Sequence, residues 1–187
     1  DNEAAYLMLA SIAGQRKVYP EQVYYSYMAH KLNPLSAENK AKYINSLLFA
    51  REFERLENFL SHQSNLSDDL KQVQLYAAGR NGNIKKYKTQ LKHSKTDKNI
   101  SALAFLLFAQ DDLSIQKKLS VIENEFQTED PFLQQELFAA QSELYLKSGK
   151  LDDSEKALLK AYALNEFAFA PALGRFYANF RTFIRCK

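Results

Sequence analysis

Apolar residues recur at three- and four-residue steps along nearly the whole chain, the spacing that lines one face of a helix. No stretch alternates apolar and polar residues long enough to predict a strand. Ala, Leu, Lys, Glu and Gln dominate, all good helix formers, whereas β-branched residues are scarce and there are only 5 Gly and 4 Pro. The pattern predicts an all-α fold.

Turn residues then divide the helices into pairs. A helix from about Glu3 to Gly14 precedes Pro20, which suits a first helical position, and the second helix stops at Pro34. Another helix, from about Ala37 to Phe49, turns through Arg51 into "EFERLENFLSH". "LKQVQLYAAG" and "NIKKYKTQLKH" pair through "RNG", and "SALAFLLFAQ" pairs with "LSIQKKLSVIENEF" through "DD". Asp130 is expected to cap a helix that begins at Pro131 and runs to Lys147. Gly149 opens "GKLDDSEKALLKAYALN", in which Asp152 and Glu155 have capping-box spacing. The expected organisation is one domain, 1–187, with hairpins at 3–34, 37–66, 68–96, 100–128 and 131–166 and a closing helix at 168–184.

The second helices of these pairs align. They carry Phe53, Leu56 and Leu60; Ile84, Tyr87 and Leu91; Leu119, Ile122 and Phe126; and Leu151 and Leu158 with small Ser154 between them. In the first pair Tyr24 and Met28 are read as the matching residues. With Met28, Leu60, Leu91, Phe126 and Leu158 as markers, the steps are 32, 31, 35 and 32 residues. A repeat of this length is the mark of stacked helical hairpins, each covering the apolar face of its neighbour.

The run "FAAQSELYLKSGKLDDSEKALLKAYALN" resembles a tetratricopeptide repeat: Tyr145 precedes Gly149 by four residues, small Ser154 stands where the family favours alanine, and Leu158 and Ala161 follow at the family's spacing. Ala29, Leu32, Asn33 and Pro34 are similar to the end of such a repeat. The resemblance implies a right-handed α-solenoid of about five hairpins plus a closing helix. It also implies a non-catalytic module for protein–protein interaction, an adaptor or scaffold that takes a peptide or partner helix in a concave groove lined by first helices. By position that groove includes Asn45, Phe49, Glu143 and Lys147.

Candidate chemistry changes this picture little. His30, His62 and His93 each follow a marker by two residues, so they fall a repeat apart instead of clustering on one metal ion. The acidic pairs Asp68–Asp69, Asp111–Asp112, Glu129–Asp130 and Asp152–Asp153 sit at helix entries, where negative charge is favourable without catalysis. No nucleophile–base pair, metal motif or phosphate-cradling glycine loop is present, so the expectation is no enzyme, no metal and no cofactor. The net charge of +3 is too small to argue for nucleic acid. The run "KKYKTQLKHSK" reads as a solvated face, with Ile84, Tyr87 and Leu91 turned inward.

No apolar run reaches the roughly 20 residues needed to cross a membrane, so insertion is not expected. One cysteine, Cys186, allows no internal disulfide, which suits a cytoplasmic chain; a periplasmic or secreted one, with Asp1 following a removed signal, stays open. The closing helix is unusually apolar. Its Leu173, Phe176 and Phe180 edge is expected to dock on the fifth hairpin over Leu158 and Tyr162, leaving Tyr177 and Phe183 for self-contact, a homodimer or a neighbouring domain. That surplus, with the absent start methionine, supports a second reading: a sensory or regulatory domain of a larger protein, for example a bacterial transcription regulator.

Overall fold

A computed structural model describes residues 2–83, 100–108, 110 and 112–180. Among them are ten helices and no strand. In order they are α1 (Asn2–Gln15), α2 (Tyr19–Leu32), α3 (Ala37–Phe49), α4 (Phe53–Ser61), α5 (Asp68–Arg80), α6 (Ile100–Phe108), α7 (Ile115–Glu125), α8 (Pro131–Lys147), α9 (Leu151–Leu164) and α10 (Glu166–Phe180). The second helix of the third expected hairpin lies outside the described residues. So do its lysine run, Ile84, Tyr87, Leu91 and His93, and likewise Asp111, Phe183 and Cys186.

One backbone device recurs at the first-to-second turn of every expected hairpin. The N–H groups of Val18, Glu52, Asn83, Gln110 and Lys150 each donate to the carbonyl five residues back, on Ala13, Leu47, Ala78, Phe105 and Tyr145, at 2.8–3.1 Å. In four of them the preceding residue is left-handed: Lys17 and Arg51 at φ 57°, Gly82 at 78° and Gly149 at 75°. These same four residues donate to the carbonyls of Gly14, Leu48, Gly79 and Leu146 at 3.0–3.2 Å. Each pair of bonds satisfies carbonyls that a helix end would otherwise orphan. Only two of the four positions are glycine, so the turn is imposed in part by packing.

The chain forms two compact units, Asp1–Leu56 and Glu57–Lys187. In the first, α1 packs on α2 and α2 on α3. Its core includes Ala10, Ala13, Tyr19, Val23, Ala29, Ile44 and Leu47. In the second, α5 packs on α6, α6 and α7 on α8, α8 on α9, and α9 on α10. Antiparallel pairs stacked in this way are a helical-repeat architecture.

The expected cap at Asp130 forms, and three serines cap helices as well. Ser36, Ser67 and Ser114 cap α3, α5 and α7, and Asp130 accepts from the N–H groups of Phe132 and Leu133 at the start of α8. The capping box at Asp152 and Glu155 is not formed. The recurrent turn already commits Lys150 as the helix boundary, its carbonyl accepting from Ser154 N–H at 3.0 Å, so Asp152 lies inside α9. Glu155 instead accepts from the Tyr177 hydroxyl at 2.8 Å. Pro20 is the second residue of α2, not the first.

The marker residues also need correction in two repeats. Leu60 and Leu158 each lie eight residues beyond the turn donors Glu52 and Lys150. Eight beyond Val18 is Ser26, fully buried, while Tyr24 is 55% exposed and Met28 only half-buried. Small Ser26 and Ala29 fill the interior face, and the Ser26 hydroxyl is satisfied by the Val23 carbonyl at 3.1 Å. In the fourth repeat Phe126 lies past the end of α7, and Leu119 and Ile122 are the buried residues. The loop through Asp112 to Ser114 delays entry into α7 and shifts the spacing.

The closing helix docks as expected. Phe169 and Phe176 join Ala139, Leu158 and Ala161 in one buried cluster, flanked by Tyr162, Leu173, Tyr177 and Phe180. A single residue, Asn165, separates α9 from α10, so the closing helix starts earlier than the expected 168.

Candidate interaction surface

Asn45 and Phe49 stand one turn apart on α3. Asn45 is exposed, but Phe49 is half-buried with its ring stacked on Tyr19, centroids 6.0 Å apart and planes at 7°. Glu143 and Lys147 stand one turn apart on α8, both exposed. Tyr177 is half-buried, held by its bond to Glu155 and by an edge contact with Phe176 at 5.9 Å. Within each pair the residues share a face; the two pairs belong to different units.

Glu143 has a partner that the sequence reading did not anticipate. Arg80, at the end of α5, is 8% exposed at its side chain, and its Nη1 donates to Glu143 Oε1 at 2.6 Å. Its Nη2 donates to Glu136 Oε2 at 3.2 Å, and its Nε to the Tyr76 hydroxyl at 2.9 Å. Tyr76 in turn donates to Glu136, and both are fully buried. The guanidinium also lies over the Tyr76 and Phe108 rings, 5.3 and 5.9 Å from their centroids. Burial works against the arginine's charge, but Tyr76, Glu143 and Glu136 outweigh it, so its pKa lies above the ordinary value. Glu136 did leave a trace in the sequence. It sits in "FLQQELFAA" with no basic residue three or four positions away on its own helix, and the structure supplies Arg80 from α5.

A second polar chain runs from α8 to the α9–α10 joint. Buried Asn165 donates through Nδ2 to Gln135 Oε1 at 3.0 Å and accepts at Oδ1 from Ala168 N–H at 3.1 Å. The first unit has its own buried amide. Asn39 Nδ2 donates to Glu3 Oε1 at 2.8 Å and to the Ala29 carbonyl at 3.1 Å, tying α1, α2 and α3 together.

Tyr43 anchors a small aromatic group in the first unit, with His30 stacked on it at 6.0 Å and Tyr27 tilted at 5.6 Å. Arg55 donates to the Tyr43 hydroxyl at 3.3 Å and to Glu52 at 2.6 Å. Burial, and then the Lys40 charge, push His30 below its ordinary pKa. On α8 the Tyr145 hydroxyl donates to Glu123, and that bond pushes its pKa up to about 12.

His62 is exposed at the end of α4, with Nδ1 2.7 Å from the Asn58 carbonyl oxygen. Among the described residues no group of three His, Cys, Asp or Glu side chains is placed to hold a metal ion. No described helix is long and apolar enough to cross a membrane. Exposed apolar side chains gather on α1, where Met8 is 66% exposed and Leu9 and Ile12 are 40% each. Compared with protein-family models, with curated proteins and with solved structures, the chain matches none.

Proposed function

We propose that this chain is a non-catalytic protein-interaction module that receives a peptide or a partner helix on a surface lined by the first helices of its hairpins. The observation that supports the reading is the recurrent turn at Val18, Glu52, Asn83, Gln110 and Lys150, which ends the first helix of each expected hairpin in the same way. Repeats of this kind present a row of side chains on successive parallel helices, and such surfaces suit extended ligands. The right-handed, tetratricopeptide-like form of the stack is part of the proposal. Asn45 and Lys147 are the contact residues to test, because both are exposed and neither is needed for a described core. Phe49 and Glu143 serve packing as well, through Tyr19 and Arg80.

Selection from a displayed random-peptide library, followed by calorimetric titration of the enriched peptides, tests the proposal. Asn45→Arg or Lys147→Glu should weaken binding tenfold or more, about 1.4 kcal/mol, with an unchanged melting temperature. Failure to enrich any peptide, or enriched peptides indifferent to both substitutions, overturns it. The second reading, a regulatory domain of a larger protein, shares this surface and differs in what is attached to it.

A further inference from the structure

We infer that Asn81 is a site of spontaneous deamidation, restrained by Glu57, and that its reaction dismantles the turn after α5. Asn81 is the one asparagine in the sequence followed by glycine. Glycine has no Cβ to shield its backbone nitrogen, so that nitrogen can reach the side-chain carbonyl before it. Gly82 is also exposed, which admits water and base. The reaction needs nothing else. Gly82 N gives up its proton to the base and attacks Asn81 Cγ; a C–N bond closes a succinimide ring, the Cγ–Nδ2 bond breaks, and ammonia leaves. Water then opens the ring at either carbonyl. Cleavage at Cγ leaves aspartate, and cleavage at the backbone carbonyl leaves isoaspartate, whose chain runs through Cβ and Cγ.

Two features of the fold oppose ring closure. Asn81 ends α5 in a helical conformation, φ −85° and ψ −2°, and Gly82 N–H donates to the Gly79 carbonyl at 3.2 Å, so the peptide must rotate before it can attack. Glu57 on α4 holds the amide, its Oε2 accepting from Asn81 Nδ2 at 2.7 Å and from Asn83 Nδ2 at 2.9 Å. Asn83 is less reactive, because the branched Ile84 crowds the nitrogen that follows it.

The same features make the product disruptive. The succinimide removes Gly82 N–H and with it the bond to Gly79. Either acid then sets a carboxylate where Glu57 had a donor, turning the clasp into a like-charge contact. Isoaspartate also adds a backbone carbon inside the loop that Asn83 N–H closes on the Ala78 carbonyl at 2.8 Å, the bond this turn shares with the other hairpins.

The test incubates the whole protein in mildly alkaline buffer and maps its products by peptide mass spectrometry, beside an unstructured peptide of residues 77–87. Asn81 should react before any other asparagine, and more slowly than in the peptide. Glu57→Ala should speed the reaction about tenfold or more, the change in opening equilibrium expected when a charge-assisted hydrogen bond is lost. Glu57→Gln, which keeps an acceptor without the charge, should fall between; it carries the comparison where Glu57→Ala does not fold. In the aged protein the Asn83 amide should lose its protection from hydrogen exchange. First reaction at another asparagine, or equal rates in protein and peptide, overturns the inference. So do folded Glu57 variants that react no faster than the parent, and a deamidated product whose Asn83 amide stays protected.

Discussion

The hairpins α1–α2 and α8–α9 end their first helices in the same turn, yet their apolar residues meet different fates. On α1, Met8, Leu9 and Ile12 stay exposed. On α8 and α9, Ala139, Leu158 and Ala161 are covered by Phe169 and Phe176 of α10. The two hairpins also solve the turn differently, with Lys17 in one and Gly149 in the other at the left-handed position. The difference teaches that a hairpin's own sequence makes its turn, while burial of its outer residues depends on what packs next to it.

The strongest way to break this comparison is to remove the cover. Phe169→Ala deletes a ring that is 1% exposed and should cost about 3–5 kcal/mol in urea unfolding. A loss below 1 kcal/mol would mean that α10 lies on α9 without stabilising it. Next come the buried amides. Asn165→Ala takes the Nδ2 donor from buried Gln135 Oε1 and removes the α10 cap, a cost of about 1–3 kcal/mol. Asn39→Ala should cost less, because its Glu3 partner is only half-buried and can return to water. Equal losses would show that solvent access does not separate the two sites.

The turns sharpen the comparison at smaller scale. Gly149→Ala forces a side chain to φ 75° and should cost about 1–2 kcal/mol. Lys17→Gly relieves the same strain and should stabilise by up to about 1 kcal/mol, less the entropy that glycine loses on folding. Thermal denaturation of both variants reads the opposite signs. A stabilised Gly149→Ala would remove strain from the account of these turns. Smallest of all, Met8→Lys should leave stability within about 0.5 kcal/mol, since the side chain is already 66% exposed. A larger loss would place Met8 in a contact that its exposure does not reveal.

Much of the fold was legible because helical spacing and turn residues are local. Asp130 announces its helix, and Leu173, Phe176 and Phe180 announce a docking edge. What the pattern misplaced followed from size. Tyr24 and Met28 look like core residues by volume, but the interior face of α2 takes the small Ser26 and Ala29. The capping box at Asp152 failed because the turn bond from Lys150 N–H to the Tyr145 carbonyl had already set the helix boundary. Asn45 and Lys147 were read from repeat position, and what the structure adds is that both are exposed. Arg80 could not be read that way, because its partners on α8 are more than fifty residues away and no helical period connects them.

The joint at Asn165 has a kinetic consequence. With one residue between α9 and α10, the closing helix meets its site at the high local concentration of a tether with almost no slack. Even short flexible linkers give effective concentrations of only about millimolar. An α10 peptide supplied in trans to a chain cut after Asn165 would therefore need at least that concentration to restore the cover. When α10 does come loose, it should re-dock faster than a competing helix at micromolar concentration can reach the exposed face of α9.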